Sequence, residues 1–278
     1  MARLLLVSPD PDLHDALDRS PLLAGHRIDV VYGDLVALRR LRRVGYDVVV
    51  TSPATPLDED VAFAEEARRV RPGIRAIALA PESHAVDVIA ALRASVFACF
   101  TAPFDPSEIA DMAARALSEP PNWQDGIQVV SANKDWISLR VNCRLLTAER
   151  LVTFLDELSK ELPEPDRDAL LLAFREILMN AMEHGGHFDP GQVVEVSAIR
   201  TARTIVYYVK DPGPGFDRDG LAHAAVSNPA DDPVAHIAAR AEQGLRPGGF
   251  GLLLARKVVD ELIYSERGNE VLLIKYRA

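Results

Sequence analysis

Five times in the first 117 residues, a short run of β-branched or apolar residues is followed by an amphipathic stretch with helical spacing. The runs are Leu4 to Ser8, Asp29 to Tyr32, Asp47 to Thr51, Arg75 to Leu79 and Ala98 to Thr101. The amphipathic stretches lie around Leu13 to Leu17, Leu35 to Leu41, Val61 to Val70, Ala85 to Leu92 and Pro106 to Leu117. A strand that must wait for a helix before its successor cannot close a hairpin, so each crossover returns the chain parallel to the strand before it. The pattern predicts an α/β domain over residues 1–118, a doubly wound parallel five-stranded sheet.

That rhythm stops at Ser118. The stretch SEPPNWQDG combines adjacent prolines, polar residues and a closing glycine, which suits a linker over residues 119–126, with Trp123 as the residue to dock it. Beyond it, strands are expected at Ile127 to Ser131 and Trp136 to Val141, and helices near Ala148 to Glu161 and Asp166 to His184. Further strands are expected at Val193 to Ile199 and Thr204 to Lys210, then a long polar loop, a helix from about Phe250 to Glu261, and strands at Leu262 to Ser265 and Glu270 to Tyr276. Here helices cluster instead of alternating, so residues 127–278 read as an α+β layer of helices on a mostly antiparallel sheet. With 278 residues, 48% of them hydrophobic, the chain can build both cores.

A net charge of −10, spread over both halves, disfavours direct contact with nucleic-acid phosphates. Cys99 and Cys143 lie in apolar or strand-like surroundings without metal-ligand spacing and read as buried thiols. No apolar run approaches bilayer length, and MARLLLVSPD turns acidic too soon for a signal peptide, so a cytoplasmic protein without membrane contact is expected.

Three segments of the second half carry chemistry. In LLLAFREILMNAMEHGG, Glu176 and Asn180 are four apart and share one face beside an apolar stripe. Asn within a helix costs roughly 0.5 kcal/mol relative to Ala; by itself the pair also fits a solvated polar face. In TIVYYVKDPGPGFD, a strand runs into Asp211, whose carboxylate can accept an exocyclic amine, while Gly213 and Gly215 allow close backbone approach. Alone, this is equally a tight turn. In LRPGGFGLLLARKVVDEL, Gly248, Gly249 and Gly251 precede a helix without an acidic first turn, leaving exposed N–H groups suited to phosphate oxygens. Alone, that is a glycine hinge. His184 and His187 beside two glycines read as a helix end with surface histidines, not as a metal site.

In this order and spacing, the three segments resemble the Bergerat ATP-binding family of histidine kinases and gyrase, and within it the anti-sigma factor serine kinases. The resemblance covers Ile127 to Ala278 and implies a histidine-kinase-like ATPase sandwich that uses ATP and Mg²⁺. By motif position it implies Glu176 as general base, Asn180 as the Mg²⁺ ligand, Asp211 as the reader of adenine, Gly213 and Gly215 shaping its pocket, and Gly249 and Gly251 at the phosphates. Leu221 to Pro247 would be the lid, carrying Asp231 and Asp232; Arg240 or Arg246 could reach the phosphates when it closes, although for either a solvated surface position is the favoured reading. The implied activity is serine/threonine phosphorylation of a small anti-anti-sigma-like partner, with a sigma factor as a second partner and a homodimer by analogy. The alternative is a nucleotide-gated binding module without catalysis.

The first half resembles the receiver domain of bacterial response regulators, through YDVVVTSPATP and FTAPFDPSEI. The departures matter more. Ser8 and Pro9 stand where the acidic metal-binding pair belongs, leaving Asp10 alone; Ser52 takes the phosphoacceptor position, Ala80 the switch hydroxyl and Ala102 the lysine. Aspartyl phosphorylation needs a carboxylate nucleophile and a cation held by further carboxylates, so the expectation is a pseudo-receiver that docks, dimerises or takes a non-phosphoryl signal. A rival reading makes Ser52 itself a phosphorylation site.

Overall fold

The computed structural model describes residues 2–215 and 251–277. Contacts divide the chain into two compact units, Met1–Asp125 and Gly126–Ala278.

The first unit holds strands β1 (Arg3–Val7), β2 (Arg27–Val31), β3 (Val48–Val50), β4 (Arg75–Ala80) and β5 (Ala98–Thr101). They form one parallel sheet in the order β2-β1-β3-β4-β5. This is the doubly wound 2-1-3-4-5 arrangement. Its helices are α1 (Pro11–Asp18), α2 (Asp34–Arg43), α3 (Leu57–Val70), α4 (Ala85–Arg93) and α5 (Pro106–Ser118). The helix starts are written locally. Asp10 Oδ1 accepts from the Asp12 and Leu13 N–H groups at 2.9 and 3.3 Å, and Asp105 Oδ1 from Ser107 N–H at 2.8 Å, each just before a proline in the first turn. The three central strands are buried from end to end apart from Arg3, as a sheet covered on both faces requires.

Pro- and polar-rich residues 119–123 lie against this unit. Buried Arg75 donates through Nη1 to the Glu119 and Pro120 carbonyls, both at 3.0 Å, and Trp123 packs on Phe97 with ring centroids 5.4 Å apart.

One buried carboxyl sits beneath the sheet's carboxyl edge. Thr51 Oγ1 donates to Asp60 Oδ2 at 2.6 Å and accepts from Leu79 N–H at 2.9 Å. Burial pushes the Asp60 carboxyl up to about 7, against hydrogen bonds from Thr51 and Thr55 that act the other way. Between the ordinary carboxylate value and about 7 the folded chain holds a proton that the unfolded chain has lost, so stability falls as pH rises through that window and levels off above it. Asp60→Asn should flatten that slope and stabilise the first unit above pH 7 by on the order of a few kcal/mol. Urea unfolding at a series of pH values checks this; an unchanged slope in the variant would remove Asp60 as its source.

The second unit holds β6 (Ile127–Asn133), β7 (Trp136–Asn142), β8 (Val193–Arg200), β9 (Thr204–Lys210), β10 (Glu261–Tyr264) and β11 (Glu270–Tyr276), with helices α6 (Leu145–Leu158), α7 (Glu164–Asn180) and α8 (Gly251–Val258). The sheet is antiparallel, in the order β10-β11-β9-β8-β7-β6. One face packs under the helices through cross-strand rows such as Ile137, Ala198, Tyr207 and Leu273, all buried. Tyr207 makes an edge contact with Phe174 of α7 at 5.0 Å between centroids, and its hydroxyl lies 2.7 Å from Ser159 Oγ. The edge geometry adds about 0.5–1.5 kcal/mol beyond the area buried.

The alternate residues form rows on the opposite face. Trp136, Ile199, Val206 and Ile274 make one row across β7, β8, β9 and β11. Two positions along the strands lies Ser138, Ser197, Tyr208 and Leu272, and two further lies Arg140, Glu195, Lys210 and Glu270.

Two expected helix ends move. The helix expected to reach His184 ends at Asn180 and gives way to a π-helical turn over Ala181–Gly185. The helix expected to reach Glu261 ends at Val258, because Glu261 pairs with Ile274 and Asp260 N–H donates to the Ile274 carbonyl at 3.0 Å. Cys99 and Cys143 are free and buried, as expected. Among the described residues no helix is long and apolar enough to cross a membrane.

Candidate functional site

Helix α7 carries the apolar stripe Leu170, Leu171, Phe174, Ile177 and Leu178 into the core. Its amphipathicity leaves Glu176 and Asn180 half-buried, one turn apart. The Arg175 guanidinium lies 3.7 Å from Glu176 Oε1, a loose pair between side chains 41% and 31% exposed. An ion pair so open to water contributes little.

Strand β9 delivers Asp211 to the end of this helix, and the π turn is what lets the two approach. Gly186 N–H donates to the Ala181 carbonyl at 3.0 Å, the wider i→i+5 bond. Gly185 then lies so close to Asp211 that a Cβ there would sit 2.2 Å from Asp211 Oδ1. The Asp211 backbone is fixed from the other side by Asn269, which is buried at the start of β11. Asp211 N–H donates to the Asn269 carbonyl at 3.0 Å, and Asn269 Nδ2 to the Asp211 carbonyl at 3.3 Å.

The Asp211 carboxyl accepts from Gly213 N–H at 2.7 Å. Burial raises its pKa, opposed by that hydrogen bond and by the Arg267 charge. Arg267 Nε in turn donates to the Pro214 carbonyl at 2.9 Å, clamping the Pro-Gly turn. Gly215 has φ +87°, and a Cβ there would sit 1.9 Å from the Arg267 carbonyl oxygen, so this turn admits only glycine. Nearby, burial and the charges of Asp189 and Asp211 push the Cys143 thiol up to about 11, which keeps it protonated at neutral pH.

Helix α8 opens at Gly251 and packs along α7, so the third segment reaches the same region. The structure thus brings Asp211 and Gly213 against Gly185, in the turn that follows Asn180, with Gly215 clamped against Arg267, while Glu176 lies one turn before Asn180 on α7 and Gly251 opens the helix that packs against α7. Gly249, Gly248, the expected lid from Leu221 to Pro247, Arg240 and Arg246 lie outside the described residues. His184 and His187 are exposed, and among the described residues no cluster of three or more His, Cys, Asp or Glu side chains could hold a metal. What the donor set does fit is a hard cation that keeps several waters and most of its coordination from phosphates, with one amide oxygen from Asn180.

Asn269, Arg267 and Gly185 were not among the expected site residues. The dipeptide Gly268-Asn269, with Gly268 at φ +83°, was the available signal: it marks the turn between β10 and β11 that lies against Asp211.

Residues 144–275 match the family model of the histidine kinase-like ATPase domain. That match spans most of the second unit. The solved structures similar to this chain include response-regulator and receiver-domain proteins. A CheY-like response regulator receiver domain protein from Methanospirillum hungatei is 18% identical, with 42% of this chain and 94% of that one covered and a TM-score of 0.38. Chemotaxis response regulator CheY4 of Vibrio cholerae is 17% identical, with 42% and 99% covered and a TM-score of 0.37. The non-phosphorylated HemR receiver domain of Leptospira biflexa is 19% identical, with 43% and 97% covered and a TM-score of 0.38. No curated protein matches the chain.

Proposed function

We propose that this protein is an ATP-dependent serine/threonine protein kinase of the anti-sigma type, which transfers the γ-phosphoryl group to a small anti-anti-sigma-like partner and holds a sigma factor as its second partner. The observation that carries the reading is the seating of Asp211 against Gly185, which joins the adenine-reading loop to the helix bearing Glu176 and Asn180. One Asp211 oxygen is engaged by Gly213 N–H, and the other is the acceptor an exocyclic amine requires. Asn180 would hold Mg²⁺, which neutralises charge on the phosphates. Glu176, one turn earlier on the same face, takes the proton of the attacking hydroxyl. Gly251, at the start of α8, presents backbone N–H groups to the phosphates, the role the sequence motif also implies for Gly249.

The first unit serves this reading as a pseudo-receiver. Its sheet has the receiver strand order, yet Ser8, Pro9, Ser52, Ala80 and Ala102 stand at the positions where phosphoryl chemistry needs carboxylates, a hydroxyl and a lysine. Ser52 has a local structural role, accepting from Ala54 N–H at 3.2 Å.

The test is a melting shift. Mg-ATP at about 100 times its dissociation constant should stabilise the wild type by about 2.7 kcal/mol. Asp211→Asn removes a charged acceptor worth about 1.5–3 kcal/mol, so at the same nucleotide concentration the gain should fall to about 0.3–1.3 kcal/mol. A variant that responds like the wild type would sink the adenine-reading role.

A further inference from the structure

We propose that two copies of this chain associate through the sheet face turned away from the helices, β7 to β11 of one against β11 to β7 of the other. The face carries an apolar row and, four positions further along each middle strand, beyond the row of Ser138, Ser197, Tyr208 and Leu272, a charged row. Trp136 and Ile199 in the apolar row are 37% and 38% exposed, in a sheet whose opposite face is fully buried along the matching strands. Such a surface is compatible with sheet-on-sheet packing at about 10 Å.

The charged row identifies the occupant. Reading across the sheet, Arg140, Glu195, Lys210 and Glu270 alternate in sign, and Lys210 Nζ lies 3.3 Å from Glu270 Oε1. A two-fold axis between β8 and β9, parallel to the strands, reverses strand order and leaves each row at its own level. Arg140 then faces the partner's Glu270, and Glu195 faces the partner's Lys210, so every position meets its opposite charge. The same operation lays the apolar row on itself. An axis across the strands would set the apolar row on the charged one, and an unrelated protein has no reason to match this order. A self-complementary patch is what an isologous dimer requires.

Charge exchange tests the arrangement in the full-length chain. Glu195→Lys and Lys210→Glu each place like charges opposite one another twice across the two-fold axis, so each variant alone should dimerise at least roughly tenfold more weakly by sedimentation. Mixed in equal amounts, they should associate like the wild type, because each copy now supplies the charge the other lacks. The mixture repairs nothing within a single sheet, so a folding defect cannot imitate this rescue. As a readout that needs no charge variant to fold, acrylamide quenching of Trp136, taken as the difference from a Trp136→Phe chain, should fall as wild-type concentration rises. A wild type that stays monomeric at every concentration, a dimer indifferent to both substitutions, or a mixture no better than its components would overturn the proposal. A monomer in which Trp136 is already shielded would do the same, by identifying another part of the chain as the occupant.

Discussion

With glutamine in place of Glu176, Mg-ATP should raise the melting temperature as it does in the wild type, while phosphoryl transfer to a partner hydroxyl falls about 10²–10⁴-fold. The two effects separate because of where the side chain sits. Glu176 is half-buried on α7, and its ion pair with Arg175 is long and solvent-exposed. Losing that pair costs at most about 1 kcal/mol, and glutamine keeps the shape and helix preference of glutamate. What glutamine lacks is a lone pair basic enough to take a proton in the transition state, so the loss falls on chemistry and not on binding. Labelled ATP with candidate partner proteins gives the measurement. Transfer at the wild-type rate by the variant would remove Glu176 as the base. If the wild type transfers nothing and signalling survives the substitution, the protein is instead a nucleotide-gated binding module.

Sequence reading reached those parts of the fold that local periodicity controls. The βα alternation announced the parallel sheet because every crossover needs its own amphipathic helix, and strands β8 and β9 were legible from strict alternation of buried and half-exposed residues. Glu176 and Asn180 could be placed on one face for the same reason. What escaped was decided by distant contacts. The π turn after Asn180 exists because Gly185 must meet Asp211, 26 positions away in sequence by the difference of their numbers, and nothing in AMEHGG favours an i→i+5 bond over an α-helical one. Asn269 acts through backbone groups across a separation of 58 residues, a role no residue type advertises. Arg75 is only the first residue of the run Arg75 to Leu79 in the sequence, yet it is buried and holds the chain at Glu119 and Pro120 by their carbonyls. Helix α8 ended early because strand pairing at Glu261 outcompeted a helix-favouring sequence.

Gly215→Ala should be the most damaging single-methyl change in the second unit. Two costs add there. The residue sits at φ +87°, which an L side chain adopts at about 1–2 kcal/mol. The new Cβ would also lie 1.9 Å from the Arg267 carbonyl oxygen and 2.8 Å from its carbon. Those are backbone atoms and cannot swing aside; relief requires moving the β10–β11 turn, and with it Asn269 and the anchoring of Asp211. Strain and displaced hydrogen bonds together should destabilise this unit by about 3 kcal/mol or more, and the Mg-ATP melting shift should disappear in whatever fraction remains folded. Gly25→Ala separates the two costs, since Gly25 has φ +86° but nothing within 4 Å of its added Cβ. That control should lose only the conformational term of about 1–2 kcal/mol. Because a two-unit chain need not unfold in one step, amide exchange is the suitable readout: β9 and β11 should exchange faster in Gly215→Ala while β1 and β3 keep their protection. Unchanged exchange in β9 and β11, together with an intact nucleotide response, would show that the turn yields easily and that its close contact with Arg267 does not hold the loop proposed to read adenine in place.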